Sequence, residues 1–209
     1  MAMEIELGEF DLDSFAAASA DKDAAAAEAG KDAPRQIILI IDASNSMQGY
    51  RIGAVNDCVN NILSKLKTLD RKQEMPVSVS AIGFSSRVFR WSDSFVRASD
   101  FKFSFIENAD GTTDMNAVFQ ALIPLTDSME KNAKKYVVLF TDGFITDDWA
   151  EGAAQWKQME MYSDITKIAV AFDEDLRDPQ SSGFLAEFAD SGAVVSMADQ
   201  EKLLAMLLS

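Results

Sequence analysis

The sequence predicts a three-layer α/β fold with a largely parallel central sheet. Three observations predict it. Apolar runs of strand length recur along the chain ("QIILII", "YVVLF", "IAVAF"), helix-periodic segments alternate with them, and two of the runs lead into an aspartate, Asp42 and Asp142. A continuous apolar run is the pattern of a strand covered on both faces. Strands that alternate with helices form crossover units and hence a parallel sheet.

The elements run in order along the chain. "QIILIID" (36–42) is the first strand. In "RIGAVNDCVNNILSKLK", residues Ile52, Val55, Val59, Ile62, Leu63 and Leu66 recur at helical spacing. "PVSVSAIGF" (76–84) is a strand opened by Pro76, and "RVFRW" (87–91) another, reached by the Ser85-Ser86 turn. "MNAVFQALIPLTDSM" (115–129) reads as a helix with a kink or break at Pro124. "KYVVLFTDG" (135–143) is a buried strand, and "DDWAEGAAQWKQMEM" (147–161) a helix that Asp147 and Asp148 cap at Trp149. "DITKIAVAF" (164–172) is a strand, "SSGFLAEFADSG" (181–192) a helix stopped at Gly192, "AVVSM" a short strand and "DQEKLLAMLL" the final helix. Ile38, Leu39, Ile40, Val137, Val138, Leu139 and Ile168 are expected in the core. Phe95, Phe101, Phe103 and Phe105 are expected as core and helix-support residues, with a partner surface as the alternative, and Cys58 as a small packed residue at the polar edge of the first helix.

Residues 1–34 differ from the rest of the chain. They hold nine acids and two lysines, and so carry −7 of the formal charge of −15. "AAASADKDAAAAEAG" reads as a biased linker, while Ile5, Leu7, Phe10, Leu12 and Phe15 sit among the acids as a tail or docking segment. The folded domain is expected over 35–209. The net charge argues against a phosphate backbone as partner. The absence of histidine excludes a Ser-His-Asp triad, a Cys-His pair and a histidine-ligated zinc. A single cysteine fits a reducing compartment. No apolar run reaches membrane-spanning length, and "MAMEIELGEF" has neither a basic nor an apolar leader region. These features predict a cytoplasmic protein without a membrane span.

In open α/β sheets, ligands sit beyond the carboxyl ends of the strands. There the sequence delivers Asp42 and Asp142, with "DGTTDMNA" between them as a glycine-hydroxyl turn before a helix. In a loop leaving a strand, alternate residues point the same way, so Ser44 and Ser46 can both face one point above Asp42. The donor set is all oxygen, which suits a hard cation: magnesium first, with manganese or calcium as alternatives. Aspartates and serines in such loops also cap helices and satisfy local backbone groups, which is the competing reading.

Asp42-Ala43-Ser44-Asn45-Ser46-Met47, a threonine in "GTTDM", and "FTDG" together resemble the metal-ion-dependent adhesion site of von Willebrand factor A domains, over residues 36–209. "FTDGFITDDW" is similar to the tellurium-resistance (TerY-type) branch. The resemblance implies a doubly wound, Rossmann-like sheet of order 3-2-1-4-5-6, mostly parallel, with one antiparallel edge strand. It implies Ser44, Ser46 and Thr113 as direct metal ligands, with Thr112 the alternative to Thr113, and Asp42 and Asp142 reaching the metal through water. It also implies a partner protein whose Asp or Glu completes the metal sphere. Asn45 stands where the family usually has glycine, and Gly111-Thr112-Thr113 where it usually has Gly-Gly-Thr.

The resemblance therefore implies a non-enzymatic, magnesium-dependent docking module in a bacterial, tellurium-resistance-like stress-response complex, which binds a protein; the charge argues against nucleic acid. The acidic tail is a further candidate for docking. One alternative is a metal-dependent phosphohydrolase using Asp42, although the second acid that such enzymes want two residues later is Ser44 here. Another is a structural subunit of a chaperone-like ATPase assembly, with the nucleotide site on the partner because this chain has no P-loop.

Overall fold

A computed structural model describes residues 33–209. The tail, its linker and its docking therefore lie almost wholly outside the described residues. The sheet is organised around β1 (Arg35–Asp42), whose residues are all buried. Such a strand needs neighbours on both edges and covering on both faces. β1 pairs in parallel with β2 (Val77–Phe84) on one side and with β5 (Lys134–Phe140) on the other. β6 (Ile165–Ala171) and β7 (Val194–Ser196) extend the sheet in parallel beyond β5. On the far edge of β2, two short segments run antiparallel, β3 (Val88–Arg90) and β4 (Val96–Arg97). The order β3-β2-β1-β5-β6-β7 matches the expected arrangement, with the antiparallel edge divided between two pieces.

Helices flank the sheet. α1 (Tyr50–Arg71) contacts β2 and α5 (Gln200–Leu208), while α2 (Met115–Asp127) packs on α3 (Ala150–Lys157). The apolar stripe foreseen on α1 is buried, and Cys58 lies within it rather than at its polar edge. Burial pushes the Cys58 thiol up to about 12, so it is a packing residue without thiolate chemistry. Every core position expected in β1, β5 and β6 is at most 1% exposed. Phe101 is buried and Phe95 and Phe103 half-buried, whereas Phe105 is 51% exposed.

Three local expectations need correction. α2 continues through Pro124, which removes the break from the expected kink or break. That proline lies in the last turn, where its missing N–H costs one hydrogen bond. α4 (Pro179–Phe188) ends before Gly192, which instead takes φ +78 in the following turn. It begins at Pro179 because Asp178 accepts from the Gln180 and Ser181 backbone N–H groups at 2.9 and 3.1 Å. Asp147 does not cap its own helix. Its two oxygens accept from the N–H groups of Met115 and Asn116 at 3.0 and 2.7 Å, so it caps α2 across the loop. Asp148 makes the local bond, to the Ala150 N–H at 3.3 Å. Among the described residues no helix is long and apolar enough to cross a membrane.

Candidate metal centre

The parallel register sets the site. Ile41 pairs with Phe140, so the next residues, Asp42 and Thr141, leave the sheet side by side. The Thr141 hydroxyl donates to Asp42 Oδ2 at 2.6 Å, and the Ser44 N–H donates to Asp42 Oδ1 at 2.8 Å. Asp42 is fully buried. Burial above all pushes its carboxyl up to about 6; the two hydrogen-bonding neighbours oppose that rise and the nearby charge of Asp142 adds to it.

The loop after β1 is fastened to its neighbours by backbone bonds. Ala43 N–H donates to the Phe84 carbonyl at 2.7 Å, Asn45 N–H to Gly111 at 3.0 Å, and Asp110 N–H to Ala43 at 2.9 Å. Within it the hydroxyls of Ser44 and Ser46 stand 3.1 Å apart, with Ser44 buried and Ser46 exposed. The two hydroxyls meet as expected, but through a 3-10 turn over Asn45–Met47 rather than through extended alternation. Asn45 needs no special conformation, because Gln73 is the only non-glycine residue with positive φ among those described. Gly111 does need one, at φ +81, and a Cβ there would lie 2.5 Å from Ser86 Oγ.

The 112–113 pair divides cleanly. Thr112 is exposed, its hydroxyl 3.1 Å from that of Ser86. Thr113 is buried, and the Thr146 hydroxyl clasps its backbone, accepting from its N–H at 3.3 Å and donating to its carbonyl at 3.2 Å. Thr146 comes after β5, so this clasp ties the threonine turn to the Asp142 loop.

Asp142 differs from Asp42. Its Oδ1 accepts from the Phe144 N–H at 3.0 Å, but its Oδ2 is buried with no hydrogen-bond partner. The guanidinium of Arg51 is an ion-pair neighbour of that oxygen at 3.5 Å. Ser181 Oγ donates to the Asp142 carbonyl, and Gly143 at φ +80 leaves the room that this contact requires. Thr141, Thr146 and Arg51 were not foreseen. Thr141 stood in the quoted "FTDG", but Arg51 lies in the first turn of α1 and carries no local mark of its role.

Among the described residues no three or more His, Cys, Asp or Glu side chains converge as a metal cluster. Any cation here must rely on hydroxyls and two carboxylates. A buried carboxylate oxygen without a donor is the group that such a cation would satisfy, so the residues fit one.

The sequence profile of the von Willebrand factor type A domain matches residues 36–206. The chain belongs to that family. Solved structures of similar fold include the pilus adhesin SpaC from Lactobacillus rhamnosus GG in its open conformation (16% identity, TM-score 0.62, 84% of this chain and 30% of that one). They also include proximal thread matrix protein 1 from the mussel byssus (18%, 0.63, 85% and 47%). A further structure of the mussel protein has a zinc-occupied metal-ion-dependent adhesion motif (16%, 0.59, 85% and 48%). This chain spans less than half the length of each. At these identities the likeness is one of fold: a type A domain with its loops at the carboxyl ends of the strands.

Proposed function

We propose that this type A domain is a divalent-metal-dependent docking module that receives an acidic residue of a protein partner. Ser44, Ser46 and Thr113 would hold the metal by their hydroxyls, with Asp42 and Asp142 behind them. The observation that carries the reading is the buried Asp142 Oδ2 without a hydrogen bond. On the loop after β1, two hydroxyls meet at 3.1 Å, and backbone bonds fix that loop on both sides. Thr113 is preferred to Thr112 because the Thr112 hydroxyl is engaged with Ser86.

When bound, the metal supplies positive charge that neutral hydroxyls do not cancel, which is what an incoming carboxylate would seek. The protein's own part is positional. Asp42 commits both oxygens to Thr141 and Ser44, holding the loop in place. The oxygen-only donor set favours magnesium, and zinc at the motif of the mussel protein supports a divalent ion of some kind. The tellurium-resistance context rests on "FTDGFITDDW" alone, and no second acid at position 44 supports a phosphohydrolase.

Titration calorimetry with Mg2+ and Mn2+ tests the reading. Binding is expected in the intact chain and its loss in Ser44→Ala/Ser46→Ala. Unchanged affinity in the double variant would remove the assignment. Partners retained in Mg2+ and released by EDTA would support docking through the metal.

A further inference from the structure

Asp142 Oδ2 is a buried anionic oxygen with no donor, yet it is not alone. Arg51 Nη1 stands 3.5 Å away, too far for a sound hydrogen bond and close enough for strong charge compensation. The guanidinium is held there from several sides. Nη1 and Nη2 donate to the two oxygens of buried Asp175 at 3.0 and 2.9 Å, a forked pair. Nη2 also reaches Glu174 Oε1 at 3.4 Å, and the guanidinium carbon lies 5.1 Å from the centre of the Phe172 ring. A side chain fixed in this way cannot retreat from Asp142 without giving up Asp175.

We infer that Arg51 is the counter-charge of the metal-free centre and sets its metal affinity by competing with the cation for Asp142. The inference rests on the reading of Asp142 as part of the metal centre. Two cations cannot both neutralise one carboxylate fully, so a divalent ion binds against the field of Arg51. Asp175 moderates that field: it carries the opposite charge and holds the guanidinium short of a hydrogen bond to Asp142. Removing Arg51 and removing Asp175 therefore act in opposite directions. A purely architectural role for the pair would instead weaken the site in both variants.

The test measures Mn2+ binding to the intact 209-residue chain by the paramagnetic resonance of the free ion. Arg51→Gln is expected to bind Mn2+ about tenfold more tightly at low ionic strength, with the advantage shrinking as salt rises. Arg51→Lys should stay close to the parent, and Asp175→Asn should bind several-fold more weakly. In EDTA, Arg51→Gln should melt lower than the parent, and saturating Mn2+ should raise its melting temperature by a larger increment. Mn2+ binding by the parent with equal or weaker affinity in folded Arg51→Gln would overturn this inference and leave the metal centre standing. No Mn2+ binding by the parent or Arg51→Gln would overturn the metal centre itself. If Arg51→Gln does not fold, Asp175→Asn carries the test, and affinity at or above the parent's overturns the inference.

Discussion

The two ends of the sheet treat buried charge differently. Near the starts of β1, β5 and β6 the buried charges are cations. Arg35 donates to the carbonyls of Ala33, Leu207, Leu208 and Ser209 at 3.0–3.3 Å. Lys135 donates to Lys131 and Ala133 at 3.1 and 3.0 Å; Lys167 donates to Ile165 at 2.8 Å and pairs with Asp190 at 3.0 Å. Most of these acceptors lie in turns or at the end of a helix, where carbonyls lack intrahelical donors and favour a cation. Beyond the ends of β1 and β5 the buried charges are Asp42 and Asp142. Asp42 is satisfied on both oxygens, while Asp142 supplies the one carboxylate oxygen among the described residues that is buried without a hydrogen bond. A buried charge met in full by its neighbours belongs to the architecture. One met only in part is a place where something else can bind.

The largest expected effect tests the satisfied end. Arg35→Met leaves several inward carbonyls without their donor and should cost about 3 kcal/mol in denaturant unfolding. Metal affinity should not change, because Arg35 starts the strand whose other end carries the site. A loss below about 0.5 kcal/mol would place Arg35 among ordinary surface charges. Next in size is the site itself. Ser44→Ala/Ser46→Ala should weaken Mg2+ binding roughly thirtyfold, near 2 kcal/mol. Its melting temperature in EDTA should stay close to the parent's. A large loss of metal-free stability would mean that the serines serve the fold rather than a ligand.

The sequence made the satisfied architecture easier to read than the partners at the site. Buried strands announce themselves by continuous apolar runs, and β1, β5 and β6 fell where those runs did. The alternation of Asp42, Ser44 and Ser46 was legible for the same reason: its geometry is local. Arg51 was not. Its partner Asp175 lies 124 residues away, and the pairing exists only because the sheet brings the ends of β1, β5 and β6 together. Asp147 shows the same limit in smaller form. Local rules assign it to the helix that comes next, but topology delivers it to the start of α2, 32 residues earlier.

A third prediction takes the comparison to an acid at the architectural end. Asp70, near the end of α1, accepts from Arg97 at 3.0 Å, from the Ser99 N–H at 3.0 Å and from the Val77 N–H at 3.4 Å. Burial opposes its charge, but these donors win and hold the carboxyl below its usual range. A lowered native pKa means that the unfolded chain takes up its proton first as pH falls. The stability Asp70 provides is therefore complete above the ordinary carboxylate range and is lost as pH falls through its native pKa. Asp70→Asn should cost about 1–2 kcal/mol at neutral pH. It should also flatten the loss of stability below pH ~4. An unchanged acid limb in the variant would show that Asp70 gains nothing from its donors.

The smallest effect is the most discriminating, because it sets two aspartates with the same place in the fold against each other. Asp42→Asn replaces one accepting oxygen by a donor, which then faces either the Ser44 N–H or the Thr141 hydroxyl. The amide also relieves the burial that pushes the Asp42 carboxyl up to about 6, but the mismatched donor is expected to outweigh that relief and lower metal-free stability by about 1 kcal/mol. Asp142→Asn balances differently. The amide can keep an oxygen toward the Phe144 N–H, and neutralising the side chain removes the cost of a buried charge whose second oxygen has no donor. Arg51 loses a neighbour but keeps its fork on Asp175. Asp142→Asn should therefore hold or gain up to about 1 kcal/mol in EDTA, while losing most of the rise in melting temperature that Mg2+ gives the parent. Equal destabilisation by the two substitutions in EDTA would show that Asp142 is as fully built into the fold as Asp42, and the contrast between a satisfied and an open carboxylate would fall.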